Sequence, residues 1–166
     1  MKSKIAVLSA LALLMATVAV PTFRTVSAQG GYAGEDLDLA SAQRILNAAL
    51  AKSTEQSSKM NVTILDAGGH LKAFARMDGA YLGSIDVSMK KAKASILFQT
   101  ASGNMGPGSQ PGGSVYGIQE TNGGIVTFAG GVPIQNADGV IIGAIGVSGS
   151  STENDLAVAQ AGVAAL

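Results

Sequence analysis

Apolar and polar positions alternate from Met60 to Leu65, with Met60, Val62 and Ile64 interleaved with Asn61, Thr63 and Leu65. A period of two is that of a strand whose side chains point to opposite faces. Asp66, Gly68 and Gly69 follow at once. The carboxylate can bond forward to the main chain and glycine takes positive φ without strain, so the chain reverses here. The return strand has unlike faces, Leu71, Ala73, Ala75 and Met77 against His70, Lys72, Phe74, Arg76 and Asp78. The second face gathers the only histidine in the chain, two cations, an aromatic ring and a carboxylate.

Helical spacing flanks this hairpin. Asp38 is placed to cap a helix in which Ala42, Ile45, Leu46, Ala49 and Leu50 recur on one side, and the polar run 53–58 ends it. Ser84 is expected to cap a second helix with Ile85, Met89, Ala92 and Ile96 as its buried stripe. Lys90, Lys91 and Lys93 cluster on that helix, either as a solvated face or as an anchor for an anionic ligand.

Residues 101–123 are rich in glycine and contain Met105, Tyr116 and Glu120, so a ligand-covering loop is expected. Its glycines match neither a Walker loop nor a dinucleotide fingerprint. Segments 125–129 and 132–135 read as extended, broken at Gly130 and Gly131. Asp138 and Gly139 signal a hairpin into 140–147, which is apolar on both faces and suits a central strand covered on each side. Ser150 with Glu153 is expected to form the capping box of a last helix whose inner stripe is Leu156, Ala159 and Val163. The expected fold is α/β of the α+β kind, a mainly antiparallel sheet with helices on both faces.

At 166 residues the chain suits one domain. Lys2 and Lys4 precede an apolar run over 5–20, and Val26, Ser27 and Ala28 form a small-residue cleavage site, the pattern of a secretory signal peptide over 1–28. The run falls short of the roughly 20 residues that span a bilayer, so no stable membrane anchor is expected after cleavage. Residues 29–36 read as a flexible leader and 37–166 as the domain, placed in the periplasm or secreted. Removing Lys2, Lys4 and Arg24 leaves eight basic against eleven acidic residues, near −3, with no footprint for nucleic acid. The absence of cysteine excludes disulfides, thiolate catalysis and Cys-ligated zinc. Asn61, Val62 and Thr63 form a glycosylation sequon.

The stretch DAGGHLKAFARMDGA at 66–80 resembles the GlcG/HbpS-like family, which includes the C-terminal domain of PduO. SIDVSMKKAKASILF, GGIVTFAGGVPI and GVIIGAIGVSGSSTENDLAVAQAG agree with it, so the likeness covers nearly all of 37–165. The resemblance implies a five-stranded antiparallel sheet flanked by helices, homo-oligomers up to octamers, and a role in haem binding, sensing, storage or degradation. Under it, His70 is the expected axial ligand to haem iron, because neutral imidazole nitrogen suits iron. Arg76 or the lysines, Lys91 among them, are expected to pair with the propionates, and Phe74 or Tyr116 to lie against the porphyrin.

Other readings stand beside these. His70 can instead close the hairpin, Arg76 and Asp78 can form a structural ion pair, and Met77 and Met105 can be core filler. An accessory enzyme using His70, Asp78 and Glu120 for acid–base work on a small oxygenated metabolite is the alternative function, as is an oligomeric partner protein. No nucleophile elbow is present, and one histidine with scattered carboxylates makes a poor metal ligand set.

Overall fold

The computed structural model describes residues 35–166; the expected signal peptide over 1–28 and most of the leader lie outside the described residues. The chain runs through α1 (Leu39–Glu55), β1 (Asn61–Asp66), β2 (Leu71–Arg76), α2 (Gly83–Phe98), a single turn α3 (Gly106–Ser109), β3 (Gly131–Gln135), β4 (Ile141–Ser148) and α4 (Thr152–Val163). The strands form one antiparallel sheet in the order β2-β1-β4-β3.

Four strands are found among the described residues, not the expected five. The segment 125–129 makes no sheet ladder because its polar groups are used elsewhere. The Val126 N–H donates to the Lys90 carbonyl at 3.4 Å, and the Phe128 carbonyl accepts from the Ser102 hydroxyl at 2.7 Å. The segment is strapped across α2 and the irregular region.

Helices cover both faces. On one, Ala42, Ile45 and Ala49 of α1 and Val158 and Ala159 of α4 pack against Val62, Ile64, Ile145 and Val147. On the other, Ala92 and Ile96 of α2 pack against Leu65 and Ala144. This second layer is thin because small residues meet main chain. A Cβ on Gly146 would lie 2.0 Å from the Ser88 carbonyl oxygen, and one on Gly131 would lie 2.3 Å from the Lys91 carbonyl oxygen. The buried residues of α2 are Ser88, Lys91, Ala92, Ala94, Ser95 and Ile96, so Ala92 and Ile96 of the expected stripe are buried while Ile85 and Met89 are only half-buried.

The caps divide. Asp38 caps α1, accepting from the Ser41 N–H at 2.8 Å. Gly83 begins α2 with no side-chain cap, so Ser84 lies inside the helix. Ser151 replaces Ser150 as the cap of α4 and accepts from the Asn154 N–H. The Ser150 N–H is taken by Asp155 Oδ1. The sequon is closed to modification in the folded chain. Asn61 is fully buried in β1 and its amide donates to the Tyr81 carbonyl at 3.0 Å.

Candidate functional site

The hairpin carries the sequence-predicted ligand. The Asp66 N–H donates to the His70 carbonyl at 2.9 Å, and the His70 N–H donates to Asp66 Oδ1 at 2.8 Å. Main chain and carboxylate close the turn, with Gly69 at φ +79°. The imidazole is exposed and has no hydrogen-bond partner among the described residues.

Beside it, between the hairpin and α2, lies a cleft of about 340 Å³. Leu65, Leu71 and Met89 supply its apolar floor, and Lys90 and Lys93 its rim. Gly69 and Leu71, the immediate neighbours of His70, line the cleft, and His70 itself does not. Asp86 holds the Lys90 ammonium at 2.8 Å one turn away, and Lys93 donates to the Asn122 carbonyl.

The other expected site residues are spread out. A register irregularity at Ile64 and Leu65 interrupts the alternation of the hairpin. Lys72 is held by Asp36 at 3.0 Å. Arg76 is exposed, and no ion pair joins it to Asp78. Phe74 is half-buried opposite Thr63, and Tyr116 is exposed on the irregular segment; neither lines the cleft. Met77 is packed against the core and its sulfur accepts from the Ser53 hydroxyl at 3.2 Å.

Lys91 departs most from its expected setting. It is fully buried, and its ammonium contacts Asp155 Oδ2 at 2.6 Å, the Val147 carbonyl at 2.9 Å and the Phe128 ring at 4.8 Å from the centroid. All its donors face protein, so it has none to offer a propionate. Burial draws the Lys91 pKa down and pushes that of Asp155 up, and the pairing of the two opposes both shifts without cancelling them. The lysine run concealed this. The informative signal was the spacing of Lys91 from Ser88 and Ser95, the same helix side as the small residues, together with a carboxylate in the first turn of the last helix.

A second cleft of about 500 Å³, unforeseen in the sequence, opens above this ion pair. Tyr81, Ser84, Phe128, Ser148, Thr152 and Asp155 are among its lining residues, drawn from the turn before α2, α2 itself, the segment 125–129, the end of β4 and the start of α4.

Comparison with known proteins places the chain. An uncharacterized 15.0 kDa protein from the dhaT-dhaS intergenic region of Citrobacter freundii is 36% identical over 125 residues, covering 75% of this chain and 87% of that one. The crystal structure of a PduOC:heme complex is 32% identical, with a TM-score of 0.74 over 79% of this chain and 95% of that one. A double mutant of Streptomyces reticuli HbpS is 26% identical, with a TM-score of 0.75 over 88% and 99%. A family model described as "Haem degrading protein HbpS-like" matches residues 37–164, and the chain belongs to that HbpS-like family.

Proposed function

We propose that the protein binds haem, with the His70 imidazole as the iron ligand. The carrying observation is the pairing of an exposed, unpartnered imidazole with an adjoining cleft that has an apolar floor and two cationic rims. Neutral imidazole nitrogen is a haem ligand, an apolar floor suits a porphyrin face, and ammonium groups suit propionates. Lys90, Lys93 and Arg76 are the propionate partners in this reading, and Phe74 or Tyr116 covers the exposed porphyrin edge. The PduOC:heme complex among the structural neighbours supports haem as the ligand class.

The signal-peptide pattern supports a site of action outside the cytoplasm, in the periplasm or after secretion, where bound haem is sensed, stored or degraded. Exposed Leu97 and Phe98 at the end of α2, with exposed Tyr81, Leu82 and Tyr116, support a homo-oligomer. Titration of the purified protein with haemin tests the reading. A saturable Soret shift at micromolar haemin is expected, and its absence overturns the proposal. Light-scattering mass measurement tests the oligomer, and a monomer at all concentrations overturns it.

A further inference from the structure

The second cleft shares no lining residue with the first. Its lining includes one side chain without a hydrogen-bond partner among the described residues, and a second such group lies beside that one on the sheet. Ser148 is only 6% exposed, that exposure opens into the cleft it lines, and its hydroxyl has no hydrogen-bond partner among the described residues. Directly across the antiparallel ladder is Asn61, fully buried, whose Oδ1 also lacks a partner. Residues facing one another across a ladder share a sheet face, so the two groups are neighbours. Buried polar atoms are nearly always satisfied, so the unpartnered Asn61 Oδ1 beside a Ser148 hydroxyl that opens into the cleft marks this wall as a place for a hydrogen-bonding ligand.

The chemistry of the walls selects that partner. Ser84, Ser148, Ser150 and Thr152 present hydroxyls, each able to donate and accept, while Tyr81 and Phe128 supply aromatic surface. The charge at the base is cancelled internally, since Asp155 holds Lys91 and the Ser150 N–H. A ligand cation finds that carboxylate already satisfied, and none of the lining residues is a cation that could receive a ligand anion. We propose that this cleft binds a small neutral polyhydroxylated molecule, a sugar or polyol, with Ser148 as the central hydrogen-bonding group and the ring of Phe128 as the apolar wall.

Protein-detected NMR titration of the haem-free chain with glucose, glycerol and, separately, acetate tests the assignment. Saturable shifts with glucose or glycerol are expected at Ser148, Gly149 and Thr152, with affinity falling about tenfold on loss of one hydrogen-bonding hydroxyl in Ser148→Ala. Ser84→Ala, at a half-buried position, provides a second variant should Ser148→Ala lose its fold; it weakens binding by a smaller factor. Non-saturating shifts with both neutral probes leave the orphan groups to water and overturn the proposal. Saturation by acetate alone overturns the neutral class, and unchanged affinity in both variants overturns the site.

Discussion

Lys91 and Asp155 meet at 2.6 Å with essentially no solvent exposure, and the contact joins α2 to α4 through the end of the sheet. Val147 and Phe128 complete the enclosure of the ammonium. Removing one partner of such a pair strands the other charge in a low-dielectric interior, whereas removing both with apolar groups of similar size does not. Lys91→Met and Asp155→Leu are each expected to cost ~3–5 kcal/mol in urea unfolding, while the double variant recovers most of that loss. Additive losses in the double-mutant cycle would refute the coupling.

A different kind of damage is expected where α2 rests on the sheet. Gly146→Ala places a methyl group against the Ser88 carbonyl and the Ala92 nitrogen, 2.6 Å away, and should cost more than ~2 kcal/mol through overpacking. Gly83→Ala, which meets no atom within 4 Å and needs no positive φ, is expected to be neutral or to stabilise by ~0.5 kcal/mol. Urea midpoints of the two variants check the contrast.

Acid should weaken the fold through Asp36. Burial pushes its pKa up, but the Ala67 N–H at 3.0 Å and the Lys72 ammonium outweigh burial and hold it below the usual value. A carboxyl with a depressed folded-state pKa contributes stability that is complete above its unfolded pKa and is lost as pH falls through the folded value. Stability is expected to decline from about pH 5 downward, and Asp36→Asn to flatten that slope with a loss of ~1 kcal/mol or less at neutral pH. Urea unfolding at a series of pH values reads both effects.

For haem, His70→Ala is expected to weaken binding by more than about tenfold, the loss of one coordinate bond exceeding ~1.4 kcal/mol. Because the imidazole is exposed and unpartnered, folding stability should move by no more than ~0.5 kcal/mol. Lys90→Ala with Lys93→Ala should weaken haem binding while leaving the Soret maximum unchanged. An unaltered affinity in His70→Ala would remove the imidazole from the site.

The hairpin, the Asp38 cap and the covered central strand were legible because each follows from local rules: period two, a side-chain acceptor before a helix, and a continuous apolar run. The fifth strand was misread for a tertiary reason. Residues 125–129 have the composition of a strand, but their hydrogen bonds go to Lys90 and Ser102. The role of Lys91 was hidden likewise, since three near-adjacent lysines suggest a wet surface until the direction of α2 is fixed by glycine contacts in strands far along the chain. Ser148 carried no sequence signal and Asn61 only that of a sequon, for their shared significance arises from facing one another across a ladder.

The intimate seating of α2 on Gly131 and Gly146 limits how the protein can diverge. Neither glycine can gain a side chain unless the opposing helix is displaced, because what it touches is backbone, which no exchange of residues on α2 can trim away. Drift in this layer is therefore confined to correlated rearrangements of a whole element, and the separation between helix and sheet is inherited as a fixed dimension.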